Sequence, residues 1–207
     1  MALSKIQPAS MDLTANYAFT GTNSVAGLEY AEKKLATQTA SSSSTLDFTS
    51  SIDSTYNIYK FRFVNIHSSA TAELRFQGNA AGGSGFNETM TTTYFVSRHD
   101  ENGSNGQIGY DTGNDQGNGT DFQRLADNFG ADDDSSLCGE LFLFNPSSTT
   151  FAKHFIATTQ YYQSAVPRTN NTFVSGYFNT TSAIDEIQFK MSSGNIDSGT
   201  IEMYGIN

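Results

Sequence analysis

Tryptophan is absent from this chain of 207 residues, proline occurs 3 times, and there is one cysteine. The lone Cys138 excludes an internal disulfide. It sits in a strand-like run, where a free cysteine is expected as a small buried hydrophobe. Lysine and arginine total 11 against 21 aspartates and glutamates, for a net charge of -10. The basic residues are scattered. An acidic surface without a basic cluster repels phosphate backbones and anionic lipid, so no nucleic acid and no membrane surface is expected as a partner. No run approaches the roughly 20 apolar residues of a membrane helix. The opening MALSKIQPASMDL carries one lysine and no apolar segment, so no signal peptide is expected and the protein is expected to be made in a cytoplasm.

Catalytic signatures are equally scarce. No G-x-S-x-G elbow occurs, since GGSGF fails at its last position. The three histidines, His67, His99 and His154, have no paired spacing, and a zinc site needs about three or four convergent ligands. His154, between Ala152 and Ile156, reads as a satisfied buried or interface histidine. His99 abuts Asp100 and Glu101 at a strand end and reads as a rim residue. A carboxylate pair such as Asp100 with Glu140 would suit a glycosidase only at about 5–10 Å separation. Asp111, Asn114, Asp115 and Asp121 form an oxygen-rich loop that could hold calcium. It lacks the closing glutamate of the twelve-residue calcium loop. Asp132, Asp133 and Asp134 read as a solvated run. No cofactor and no enzymatic activity are expected.

Glycine, serine, threonine, asparagine, phenylalanine and tyrosine fill the space these absences leave. Charged residues make up only 15% of the chain. This is the composition of an all-β domain with many turns. Period-2 alternation, the mark of a strand with one buried face, recurs throughout. In 56–67, Tyr59, Phe61 and Phe63 share a face, with Lys60 and Arg62 behind. Ile58, Val64 and Ile66 fall on the second face, so this strand is expected to be central. Further strands are expected at 46–50, 73–77, 88–99 and 172–179. A hairpin is expected over 135–162 about Asn145-Pro146-Ser147, with Pro setting the turn.

Near the C-terminus, Ile187, Phe189 and Met191 alternate, as do Ile201 and Met203, about the turn cluster 192–199. The pattern predicts an antiparallel hairpin with Met191 facing Ile201 and Lys190 facing Glu202. Strand count and turn spacing point to an antiparallel two-sheet β-sandwich, jelly-roll-like, over 45–207.

Residues 1–44 differ. Ala15–Thr20 is a short expected strand, and Leu28, Ala31 and Leu35 fall near helical spacing. The serines at 41–44 read as flexible linker. This N-terminal arm either docks on another copy or another protein, or adds its strand to the same sandwich. The segment 78–85 reads as a mobile loop. The segment 100–121 is almost all turn residues, with Asn-Gly at 102, 105 and 118. Loops of such length are functional or disordered.

The phrases YNIYKFRFVNIH, LFNPSSTTFAKHFIA, GYFNTTSAIDEIQFKMSSGNIDSGTIEMYGI and MALSKI resemble a group of virion structural proteins of marine tailed bacteriophages, described as tail, fibre or capsid-surface proteins. The resemblance spans nearly the whole chain and is greatest from Phe142 onward. It implies a particle component with a β-sandwich body, assembled in the bacterial host cytoplasm and located in the virion. The expected partners are further copies of itself, as a trimer, and other virion proteins through the arm. The rival expectation is a receptor- or glycan-binding module of a phage adhesin. Sugar platforms favour aromatic faces. Tyr94, Tyr110, Tyr161 and Tyr162, with His99 beside them and loop 100–121 as rim, are the candidate ligand-binding residues.

Overall fold

A computed structural model describes residues 32–163 and 165–207. The expected strand Ala15–Thr20 and most of the expected arm lie outside the described residues. Twelve strands are described: β1 (Lys33–Thr39), β2 (Thr45–Phe48), β3 (Ile58–Ser68), β4 (Leu74–Ala80), β5 (Met90–Asp100), β6 (Gly106–Tyr110), β7 (Gln123–Arg124), β8 (Leu137–Phe144), β9 (Lys153–Gln163), β10 (Arg168–Phe178), β11 (Ile184–Met191) and β12 (Ile196–Ile206). They form two antiparallel sheets packed face to face, a β-sandwich as the alternation predicts. The large sheet has the order β1-β12-β3-β8-β9-β10-β5-β6 and the small one β2-β11-β4-β7. The hairpin β8–β9 and strand β3 occupy central positions, as their apolar content on both faces predicts.

An aromatic cluster joins the sheets. Phe189 of β11 packs against Phe61 and Phe63 of β3, at ring-centroid distances of 5.5 and 5.3 Å, and against Phe48 of β2 at 6.1 Å. Phe76 of β4 extends the cluster to Phe155 of β9 at 5.0 Å. Most of these pairs meet edge-on, the arrangement that ring quadrupoles favour. Ile187, Met191, Ile201 and Met203 are buried beside them.

The expected C-terminal hairpin is not formed. β11 pairs with β2 and β4 in the small sheet, and β12 pairs with β1 and β3 in the large one. The turn-rich segment between them therefore crosses from one sheet to the other. Glu202 lies cross-strand from Arg62, whose guanidinium bonds its carboxylate at 2.9 Å through Nε. Lys190 lies opposite Arg75 and Thr45, with its ammonium 3.8 Å from the Phe122 ring centroid.

Strand β1 begins where helical spacing was read. Lys33–Thr39 pairs with β12, so this part of the expected arm is an edge strand of the same sandwich. The serines that follow are ordered. Ser42 donates to Asp197 at 2.8 Å, and Ser43 bridges Ile196. The expected loop at 78–85 starts later, because Gly78–Ala80 completes β4.

A bulge corrects the placing of Ile66. Val64 and Asn65 both face solvent, and the register of β3 against β8 shifts between Phe63 and Ile66. Ile66 thereby turns inward and is fully buried. Asn65 adopts a φ of 48° and Gly199, on the neighbouring strand, a φ of 101°. A Cβ on Gly199 would stand 2.3 Å from the Asn65 carbonyl oxygen. Gly199→Ala is expected to cost at least about 2 kcal/mol through backbone strain and overlap. In a chain of this size that lowers the thermal midpoint by about 4–8 °C. Thermal unfolding followed by circular dichroism checks this, and an unchanged midpoint refutes the bulge.

Candidate functional site

The large sheet is wider than the small one, so part of its inner face needs another cover. Segment 111–130 supplies it. Two fully buried amides hold the segment down. Gln123 donates to the Asn114 carbonyl at 2.9 Å and accepts from the Thr92 hydroxyl at 2.7 Å. Gln77 donates to the carbonyls of Glu88, Thr120 and Asp121 at 3.0–3.2 Å. The buried hydroxyls of Thr159 and Thr172 lie 2.5 and 2.6 Å from the Leu125 carbonyl. A stretch composed of turn residues is thus fixed by amides outside the expected site. Strand β6, inside the expected loop 100–121, pairs with β5 and extends the sheet.

The segment leaves a polar cleft beneath β6. Its outer groove, about 250 Å³, runs between Val96 and Arg98 of β5, Gln107 and Gly109 of β6, and Asp111. An inner chamber of about 20 Å³ lies beyond, among Tyr94, Asp127, Tyr161 and Asn170. Val96, Arg98 and Asp111 border both. The Asp127 N–H donates to the Tyr161 hydroxyl at 3.1 Å. Tyr94 Oη and Arg98 Nε are buried with no hydrogen-bond partner among the described residues. Burial pushes the Tyr94 phenol far above its ordinary value and that of Tyr161 up to about 12. Burial also raises the Asp127 carboxyl, against the pull of Arg124.

The five candidate residues therefore divide between two places. Tyr94 and Tyr161 are buried, with hydroxyls toward the chamber, and present no ring face at the surface; this corrects the expectation of an aromatic platform. Their burial was hidden in the sequence, because the cover by 111–130 over the middle of β5 and the end of β9 comes from a distant segment. Tyr110 stands at the cleft mouth and donates to Asp115, whose carboxylate holds the phenol above its ordinary value. Tyr162 and His99 share one row on the outer face of the large sheet, on either side of Thr169. Arg98, Asp127 and Asn170 were not anticipated. Arg98 was legible only as a charge on the inward parity of β5, one step beyond Val96.

The other candidates disperse. Asp100 is buried beside Arg168, with Oδ1 3.3 Å from Nε, while Glu140 lies in register with exposed Arg62. The two carboxylates face opposite sides of the sheet. Asn114 bonds Asp111 at 3.1 Å, and Asp115 is engaged by Tyr110. No group of three or more His, Cys, Asp or Glu side chains converges among the described residues. Asp132, Asp133 and Asp134 are exposed, as expected of a solvated run. Cys138 is exposed, not buried, on the outward parity it shares with Glu140. His154 is exposed too, 5.9 Å from the Tyr177 ring.

The outer face of the large sheet is the second surface of note. Register sets Glu140, Thr158, Phe173, Phe95 and Tyr110 side by side across five strands. The next row is Phe142, Ile156, Ser175 and Thr93. Phe95, Phe173, Tyr110 and Ile156 are each 42–50% exposed. Beside them a shallow groove of about 510 Å³ is lined by Thr91, Thr93, Phe144, His154, Ile156 and Tyr177, among others. No protein-family model, no curated protein and no solved structure matches this chain.

Proposed function

We propose that the protein is a non-enzymatic structural protein of a tailed-bacteriophage virion, displayed on the particle surface and assembled there with copies of itself. The observation that carries this reading is the aromatic outer face of the large sheet. Exposed apolar patches of this kind mark interaction surfaces. Interface cores are rich in aromatic residues and poor in charge, and the two rows across β9, β10, β5 and β6 contain no charged side chain. A further copy of the chain, in a trimer, is the proposed occupant.

The strand order supports a jelly-roll reading of the sandwich. With β5–β6 and β9–β10 set aside as insertions, β1, β12, β3 and β8 face β2, β11, β4 and β7. Successive strands of that set alternate between the sheets, apart from the step from β4 to β7, which stays in the small sheet, as in a double Greek key.

Introducing a charge tests the interface. Phe173→Glu combined with Ile156→Glu is expected to convert a stable oligomer to a monomer, read by light scattering, with the circular dichroism spectrum unchanged. A wild-type protein that is monomeric and absent from purified particles would sink the proposal.

One observation favours a second reading, a glycan-binding module of an adhesin. The cleft under β6 gathers guanidinium, carboxyl, amide and phenol groups in one place.

A further inference from the structure

We infer that the cleft under β6 is a subsite for one neutral, polyhydroxylated ring, such as a single hexose unit. This inference rests on the glycan-binding reading. Its starting point is the pair of unpartnered donors. Tyr94 is fully buried, and its hydroxyl, near that of Tyr161 but not in hydrogen-bond geometry with it, faces the chamber it lines. Arg98 Nε is buried and unpartnered at the border between chamber and groove. A buried donor left unmade costs about 1–3 kcal/mol. Such groups in a native fold call for an occupant.

Size divides the occupant into two. The inner chamber, about 20 Å³, suits one water, since a cavity needs roughly 10–15 Å³ to hold one. The outer groove, about 250 Å³, falls below the roughly 300–1,000 Å³ of sites for drug-sized ligands. A ring in the groove and a water in the chamber fill both. The water links the ring to Tyr94, and bridging waters are nearly as favourable as direct hydrogen bonds.

Charge sets the class. Arg98 can only donate, and ionised Asp111 and Asp127 can only accept. An anionic ligand would pair with Arg98 but face Asp111 and Asp127. A cationic ligand would meet Arg98. A sugar hydroxyl accepts and donates at once, so one hydroxyl can take the Arg98 N–H and give its own proton to Asp111. Adjacent hydroxyls repeat the pattern along Gln107, and the chamber water along Asn170.

Titrations of the full chain with glucose, galactose, mannose, N-acetylglucosamine, glucosamine and sialic acid, followed by calorimetry and saturation-transfer NMR, test this. At least one neutral sugar is expected to bind more tightly than glucosamine and sialic acid. Arg98→Gln is expected to weaken that binding about tenfold or more. Tyr94→Phe, which removes one hydroxyl that makes no hydrogen bond among the described residues and keeps the buried ring, is expected to weaken it several-fold. If a neutral sugar binds both variants as tightly as wild type, the subsite is wrong while the glycan reading stands. Preference for sialic acid or glucosamine overturns the charge argument. No binding of any of the six probes, together with a blank glycan array, overturns both readings.

Discussion

Phe189→Ala is expected to lower the unfolding free energy by about 3–5 kcal/mol, the range for deleting a buried phenylalanine ring. The size follows from position. The ring is fully buried and meets Phe48, Phe61, Phe63 and Phe76, so its loss opens a void shared by four strands of both sheets. Such a void collapses poorly, because three of the four surrounding rings, Phe61, Phe63 and Phe76, are held by strands paired on both edges. Native stabilities are typically about 5–15 kcal/mol, so this one change removes a large part of the total. Ile108→Ala is the matched control. Ile108 is 74% exposed on β6, and its truncation should stay within about 0.5 kcal/mol. Urea unfolding of both variants checks the contrast. Equal, small losses would contradict the packing of β11 against β3.

Alkaline pH is expected to unfold the protein through Tyr94 and Tyr161. Burial holds the Tyr161 phenol up to about 12 and that of Tyr94 further still. In the unfolded chain both titrate near pH 10. Above pH 10 the unfolded state therefore binds fewer protons than the folded one, and stability falls as pH rises. Each phenol contributes about 1.4 kcal/mol per pH unit in that window. The contribution is intact below pH 10, and the share of Tyr161 is spent near pH 12. The pair together lose about 5 kcal/mol between pH 10 and 12. Urea midpoints across this range should fall steeply, and phenolate absorbance should rise in a late step that coincides with unfolding. Replacing both residues with phenylalanine should flatten the dependence. Full ionisation of every tyrosine in a chain that keeps its circular dichroism would refute the burial.

Legibility followed what alternation encodes. It marks which side chains turn inward, and Ile187, Phe189, Met191, Ile201 and Met203 are all buried as read. It does not encode which sheet a strand joins. The turn-rich segment after Met191 has the same composition whether it closes a hairpin or crosses the sandwich, so β11 and β12 were paired with each other. Alternation also breaks at a bulge, and Asn65 sent Ile66 inward against the count. Cys138 could have been placed correctly, since it shares parity with Glu140 and opposes that of Leu137, Leu141 and Leu143. The cleft was the least visible. Tyr94 and Tyr161 were noticed as tyrosines, but their surroundings depend on Gln77 and Gln123, which anchor a distant loop and look in sequence like ordinary surface amides.

The division of the last two strands between the sheets has a consequence for biosynthesis. β12 lies between β1 and β3, and β11 between β2 and β4. Lys33 pairs with Gly205, and Phe48 with Ile187. A nascent chain emerging from the ribosome therefore has neither β1 nor β2 tied to its sheet until Ile184–Ile206 has appeared. Pairings so distant in sequence form slowly, because loop-closure entropy is paid before any contact returns it. Until then β2, β3 and β4 carry open edges able to recruit strands from neighbouring chains. Chains stalled or cleaved before residue 184 are thus predisposed to aggregate, and synthesis of Ile184–Ile206 acts as the checkpoint for a closed sandwich.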